Sequence, residues 1–312
     1  MNILSFDVGG TSIKYGIVNE QSEVLSKGTV PTPQNEITFL ETINEIVADN
    51  KNNYEKISIA MPGFVNKRQS TYLYGANLKY AIDFRKLNNF ESSKFSIDND
   101  GNVAAYSEYL LHYSNQFSNL IMLTFGTGVG GGIISNGKLL RGLGSAGEIG
   151  HMLTSKGKKD YVCNCGKTGC FEASTSAAAW TKECEYLCEK YPQSELAKKF
   201  SEDNLGSIIF DKSIQLNIEE LTTRDEIILN ISNGLVSLFE IFDNEAFVLG
   251  GSMSSKPFDL VHLINEDIAN RFNFPSRVFP DIFVSNQRGE GGITVSYTHL
   301  RAHETEADLV CR

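Results

Sequence analysis

Short apolar runs separated by glycine turns open this chain. Asn2–Phe6 and Ser12–Val18 read as strands around Gly9-Gly10, and Glu23–Val30 reads as a third, which predicts an antiparallel meander. The period then changes: Ile37, Leu40, Ile43, Ile46 and Val47 recur at helical spacing. Lys56–Met61 is a further strand, halted by Pro62-Gly63. Tyr72–Leu78 is hairpin-like, Lys94–Ile97 is a short strand, and Val103–Leu111 is a helix. A mixed-direction sheet followed by crossovers departs from a simple dinucleotide-binding pattern.

Near Asn119 the pattern restarts. Asn119–Phe125 and Val129–Ser135 read as strands around Gly126-Thr127-Gly128, the same strand, turn, strand unit that opens the chain, which makes a weak internal repeat. Ala173–Tyr191 reads as one helix and Glu195–Phe210 as helical. Ile218–Leu221 reads as a helical piece and Asp225–Phe242 as a long helix. Ala246–Leu249 is a buried strand ending in Gly250-Gly251-Ser252, and Phe258–Phe272 is helical. These elements predict an α/β protein with a small lobe over 1–118 and a larger one over 119–294. From about Val295 both periodicities vanish, and residues 295–312 read as a non-native tail, translated adapter or vector sequence. His299 and His303 fall in it and have the spacing of a metal pair only.

Composition narrows the class. A chain of 312 residues with 41% hydrophobic and 21% charged residues and 7 prolines has the make-up of an ordinary globular protein. A net charge of -10 argues against broad nucleic-acid or anionic-membrane binding, so an anionic ligand needs a local cradle. The amino terminus reaches Asp7 with no basic and apolar leader, and no apolar run approaches the roughly 18 residues of a membrane span, so a cytoplasmic location is expected. In a reducing compartment, three cysteines clustered over 163–170 favour metal over disulfide. Cys184 and Cys188 read as helix-face residues.

The chemistry gathers in four places. His151, Cys163, Cys165 and Cys170 offer one imidazole and three thiolates, a set that suits a tetrahedral structural zinc with no open position. Chemistry near it must then come from neighbours, and Glu148 and Glu172 flank the ligands. Asp7, Gly9, Gly10, Thr11 and Lys14 form a turn whose backbone N–H groups suit phosphate oxygens and whose carboxylate suits Mg2+. Alone it would equally be a hairpin turn. Gly126-Thr127-Gly128 and Gly250-Gly251 follow two further strands, so three such turns sit where a two-lobed nucleotide cleft needs them. Asn99-Asp100 precedes a helix: Asp98 or Asn99 could simply cap it, and Asp100 near the helix N-terminus could accept a proton from an attacking hydroxyl.

Together these residues resemble the ROK family of sugar kinases and sugar-responsive repressors, in the actin, Hsp70 and hexokinase superfamily. Asp7–Lys14 looks like its first phosphate motif and Leu123–Ile134 its second. Ala146-Gly-Glu-Ile-Gly-His151 with Cys163-x-Cys165-Gly-x-x-Gly-Cys170-Phe-Glu172 looks like the family signature and zinc loop. The resemblance implies a two-lobed actin-like ATPase fold of the ribonuclease H type, with the zinc loop in the larger lobe. It implies Asp100 as catalytic base and sugar contacts from Gly63, Asn77, Asn99, Glu148, His151 and Glu172. It places Gly250 and Gly251 beside the nucleoside, and it turns one ring nitrogen of His151 to zinc and the other to the sugar. It also implies ATP, Mg2+ and structural Zn2+, and a homodimer. Family members usually end in a Gly-Ala-rich helix returning to the first lobe, whereas Gly291-Gly292-Ile293 here runs into the foreign-looking tail.

The function expected is ATP-dependent phosphorylation of a hexose or amino-hexose, glucose by default. The alternative is a sugar-binding regulatory protein of the same family without turnover. A repressor would add an amino-terminal helix-turn-helix, for which a first strand starting at Asn2 leaves no room.

Overall fold

In a computed structural model the residues described are 1–21, 23–75, 78–154, 162–251, 259–275 and 277–286. Asn77, Ser252, Phe258, the Gly291-Gly292-Ile293 run and the whole 295–312 tail lie outside them.

The first sheet is built from β1 (Ile3–Val8), β2 (Ser12–Val18) and β3 (Val24–Pro31), an antiparallel meander as the pattern predicts. Helix α1 (Glu36–Asp49) crosses over to β4 (Lys56–Met61), which lies parallel to β1. Asn35 starts α1 by accepting from the Thr38 N–H, and Phe39, Leu40, Ile43 and Ile46 are its buried face. A small three-stranded sheet follows, β5 (Phe64–Asn66), β6 (Thr71–Tyr74) and β7 (Ile82–Asp83), before β8 (Phe95–Asn99) returns parallel to β4. The resulting order is β3-β2-β1-β4-β8. Phe6, Phe39, Ile59 and Phe84 pack in the core between this sheet, α1 and the small sheet.

Helix α2 (Asp100–Glu108) begins three residues earlier than apolar spacing predicts, because Asn99 caps it by accepting from the Asn102 N–H at 3.0 Å. Through Tyr109–Tyr113 it widens into a π-helical turn. Ala105, Tyr106, Tyr109 and Tyr113 pack against Leu120, Met122, Ile134 and Val248, all from the second sheet. That sheet holds β9 (Leu120–Phe125), β10 (Val129–Ser135) and β11 (Lys138–Leu139).

The helices that cover it begin with α3 (Phe171–Thr175), α4 (Ala177–Lys190) and α5 (Glu195–Asp203). They continue with α6 (Ile218–Phe242), the strand β12 (Ala246–Gly251), α7 (Leu260–Arg271) and β13 (Asp281–Val284). The expected single helix over 173–191 is two, since Ser176 turns to an extended backbone and caps α4. The two expected pieces from Ile218 are one helix, started by a reciprocal capping box between Asn217 and Glu220. The sheet order is β11-β10-β9-β12-β13, with β12 parallel to both neighbours and its residues Ala246–Leu249 fully buried. Trp180 anchors this core, stacked on Phe125 and edge-on to Phe210. Among the described residues no helix is long and apolar enough to cross a membrane.

Candidate active site and metal cluster

The ends of β1, β4, β8, β9 and β12 face one cleft of ≈ 510 Å³. Loops following parallel strands collect at one sheet edge, which is why a crossover sheet places its chemistry there. At the first edge Asp7 closes β1 opposite Lys14, and the Gly9–Ser12 turn is held by the Gly9 N–H donating to the Ser12 carbonyl at 2.9 Å. Thr32 braces that turn from outside: its hydroxyl donates to the Gly9 carbonyl at 2.7 Å and its N–H to the Thr11 carbonyl at 3.0 Å. Gly9, Gly10, Thr11 and Lys14 line a smaller ≈ 230 Å³ recess that shares Asp7 with the main cleft. Burial pushes the Asp7 carboxyl up, against the pull of Lys14.

Asp100 sits at the first position of α2, facing the cleft, and its carboxylate accepts from the Gly101 N–H at 2.8 Å. Protein walls on its inner side push the carboxyl up to about 6, opposed by the Gly101 N–H and reinforced by the charge of Asp7, while cleft water still reaches it. Asn99 does two things at once: its Oδ1 caps α2, and its Nδ2 donates to the Gly63 carbonyl at 3.0 Å. Tyr72 supports the same stretch from below, its hydroxyl lying 3.2 Å from the Pro62 carbonyl and 3.0 Å from that of Leu78.

On the opposite wall, Glu148 and His151 project from a short 3-10 turn at Ile149–His151. The His151 Nε2 lies 3.8 Å from Glu148 Oε2. Burial, with the charges of Asp100 and Glu172 nearby, pushes the Glu148 carboxyl up to about 7. Glu172, on α3, is pinned to the second glycine turn, since its Oε2 accepts from the Val129 N–H at 2.9 Å. Gly128 is required for that contact: a Cβ there would lie 2.2 Å from the same oxygen.

The other imidazole nitrogen turns to the cysteines. His151 Nδ1 is 3.6 Å from Cys163 Sγ, Cys165 Sγ is 3.6 Å from Cys170 Sγ, and all four donor atoms lie within 4.8 Å of one another. A tetrahedral zinc with Zn–S of about 2.3 Å and Zn–N of about 2.0 Å separates neighbouring donors by about 3.5 to 3.8 Å. The cluster therefore fits a closed, four-ligand metal site. Its loop is shaped without a metal by local bonds, with the Cys163 N–H donating to Lys167 and the Gly166 N–H to Cys163. Burial pushes the Cys163 thiol up, opposed by the Cys165 N–H that points at its Sγ at 3.4 Å.

One cleft thus joins Asp7, Gly63, Asn99, Asp100, Gly126, Thr127, Gly128, Glu148, His151, Glu172 and Gly251. Gly250 stands behind it, packed on Met122 and Ser285, and Cys163 and Cys170 are buried outside it. Gly130 and Gly131 line the cleft, whereas Gly132 serves packing: a Cβ on it would lie 2.4 Å from the Cβ of Ala105, so β10 is bare where α2 lies on it. Two features escape sequence reasoning. Thr124 lines the cleft one residue before the end of β9, and Arg141 reaches across to Asp98. Thr124 could have been found by overlaying the repeat, where it falls opposite Asp7.

Known proteins are similar throughout this architecture. A glucokinase of Halalkalibacterium halodurans is 30% identical over 265 residues, 80% of this chain and 79% of its own. An N-acetylmannosamine kinase of Vibrio cholerae is 32% identical over 222 residues, covering 69% of this chain and 76% of that protein. The solved structure of a ROK family glucokinase from Streptomyces griseus, in complex with glucose and AMPPNP, superposes with a TM-score of 0.77 at 26% identity. It covers 95% of this chain and 98% of that one. The fold is accordingly the two-lobed, actin-like α/β fold. With residues 3–294 also matching the model of the ROK family, the chain belongs to that family.

Proposed function

We propose that this protein is an ATP-dependent kinase of a hexose or amino-hexose, with Asp100 as the base. The observation that carries the reading is the single cleft that sets Asp100 and Asn99 on one wall, Glu148, His151 and Glu172 on the other, and the Gly126–Gly128 turn at its edge. The kinase relatives and the nucleotide-bound neighbour support the same reaction.

The sugar lies between the two walls, its hydroxyls bonded by Asn99, Glu148, His151 and Glu172, with the Gly63 backbone and Asn77 as further contacts. ATP occupies the space between the Gly9–Thr11 and Gly126–Gly128 turns, with Gly250 and Gly251 beside the nucleoside. Asp7 and Lys14 flank the phosphates, and Asp7 would hold Mg2+, which neutralises phosphate charge when bound. Asp100 aims a sugar hydroxyl in line at the γ-phosphorus and takes its proton as the new O–P bond forms and ADP leaves with the old one. Most of the acceleration is positioning and charge complementarity, so Asp100 orients the nucleophile as much as it deprotonates it.

His151, Cys163, Cys165 and Cys170 would hold a structural zinc, whose task is to fix the loop. With Nδ1 on the metal, Nε2 of His151 is left to the sugar side beside Glu148. We further propose two lobes, 1–118 and 119–294, a non-native tail over 295–312, and a cytoplasmic homodimer.

The test is release of ADP, measured with about ten hexoses and amino-hexoses, on the parent protein and on Asp100→Asn. Sugar-dependent release by the parent, lost in the zinc-loaded variant, is expected. Undiminished turnover in that variant would remove Asp100 from the mechanism. Sugar binding without turnover by the parent would instead support a regulatory protein.

A further inference from the structure

We propose that the Arg141–Asp98 ion pair is the positioning device that sets Asp100 against the Glu148–His151 wall, a role that rests on the kinase reading above. Asp98 is 2% exposed and Arg141 19% exposed, and Arg141 Nε donates to Asp98 Oδ2 at 2.9 Å. The two residues belong to different sheets' surroundings. Asp98 lies in β8, and Arg141 begins the loop that follows β11.

Each end of the pair is bonded to a catalytic wall. On the Asp98 side, Oδ1 accepts from the Asn99 N–H at 2.9 Å and from Asn102 Nδ2 at 3.4 Å. Asn99 in turn caps α2 and bonds Gly63, so Asp98 fixes the start of the helix that carries Asp100. On the Arg141 side, the carbonyl accepts from the Gly144 N–H at 2.8 Å and the Ala146 N–H at 3.2 Å, folding the loop back on its first residue. Glu148 follows seven positions after Arg141.

The loop between them is irregular. It contains no strand or helix, and Leu143 at its tip is 97% exposed. Gly144 passes so close to the Val65 carbonyl, at φ +120°, that a Cβ would lie 2.3 Å from it. That contact sets the height of the loop over the small sheet, and the guanidinium sets its reach toward β8. A buried ion pair is a poor source of net stability and a good source of register, because a partner left alone in the interior is strongly disfavoured. Both walls are thereby tied to one point, and a displacement of about 1 Å at a reacting centre costs about a hundredfold in rate.

The experiment compares the parent with Arg141→Met, Arg141→Lys and Asp98→Asn. Calorimetry gives glucose and N-acetylmannosamine affinity, initial rates give the KM for ATP, and metal analysis gives zinc per chain. Expected for Arg141→Met are a loss of sugar affinity of tenfold or more, a lower kcat, an ATP KM within twofold of the parent and unchanged zinc, with partial rescue in Arg141→Lys. Parent-like sugar affinity in the folded variant overturns the proposal, as does an equal loss toward ATP. Should Arg141→Met fail to fold, Asp98→Asn, which keeps a hydrogen-bonding partner, is expected to lose about fivefold in sugar affinity, and a parent-like value there overturns it equally. A parent that binds sugar without turning over sinks the kinase reading and leaves calorimetry to judge the pair, whereas a parent that binds none of the hexoses and amino-hexoses tested for ADP release overturns both.

Discussion

Replacing Gly128 by alanine separates the stability of the second lobe from the working of the site. The added Cβ would lie 2.2 Å from Glu172 Oε2, and ordinary contact begins at 3.4 Å, so the carboxylate must retreat by about 1.2 Å. Because that oxygen is the far end of a flexible side chain, the backbone need not move. What is lost is the bond from the Val129 N–H, 2.9 Å in the parent, and with it the aim of Glu172 into the cleft. A sugar hydroxyl that the displaced carboxylate no longer reaches forfeits a hydrogen bond to a charged group, about 1.5 to 3 kcal/mol, which corresponds to a loss of about ten- to a hundredfold in sugar affinity. The fold itself loses the Val129 bond, present without sugar, and its unfolding midpoint should fall by several degrees. Calorimetric titration with the preferred sugar, alongside thermal unfolding and zinc analysis, reads these effects separately. A folded, zinc-loaded Gly128→Ala protein that binds sugar like the parent would refute the assignment of Glu172 to the sugar wall.

Other outcomes follow from the same geometry. With Asp100 as the proposed base and its carboxyl held up to about 6, the carboxylate is lost as pH falls through that value, so kcat/KM should drop tenfold per pH unit below it in a pH–rate profile. The sign for stability is opposite to that of a paired carboxylate. A raised value means that ionised Asp100 opposes folding at pH 7 and stops doing so in acid, so Asp100→Asn should unfold at or above the parent midpoint at pH 7. Chelation of the metal, or Cys165→Ser, should weaken sugar binding or unfold the lobe in step with zinc loss, followed by metal release and calorimetry, and unchanged binding by a zinc-free protein would contradict the structural role. Gly132→Ala, whose Cβ meets that of Ala105 at 2.4 Å, should cost about 1 to 3 kcal/mol in chemical unfolding by forcing α2 off β10.

Strands whose ends coincide with strong punctuation were readable almost to the residue. Ser12–Val18, Lys56–Met61 and Val129–Ser135 each meet a glycine or proline turn at one end or both, and the observed spans agree. Helix limits were not, because caps outrank apolar spacing. Asn99 starts α2 before its first apolar residue, and Ser176, the last of a Ser-Thr-Ser run, divides the segment expected as one helix. β13 has half-exposed residues at a sheet edge and no alternation to reveal it. At the site, local motifs were legible since glycines, cysteines and carboxylates announce themselves by spacing. The Arg141–Asp98 contact was not, as 43 positions separate its partners and no periodicity links them. Gly132 shows the converse, the last of a run that looks like a ligand cradle, and it serves helix packing while Gly130 and Gly131 line the cleft.

The two sheets share one connectivity. Numbered within each half, the order is 3-2-1-4-5 in both, and Asp7 and Thr124 occupy the same place, one residue before the end of the first strand and opposite the second. Such correspondence is what an ancestral doubling of one half-sized unit leaves behind. A frame made twice offers a pair of equivalent seats, and those seats have since diverged. The carboxylate on one suits a cation and the hydroxyl on the other suits an oxyanion. Asymmetric chemistry on two unlike substrates is therefore written here in a handful of side chains and loops, over a scaffold that treats both sides alike.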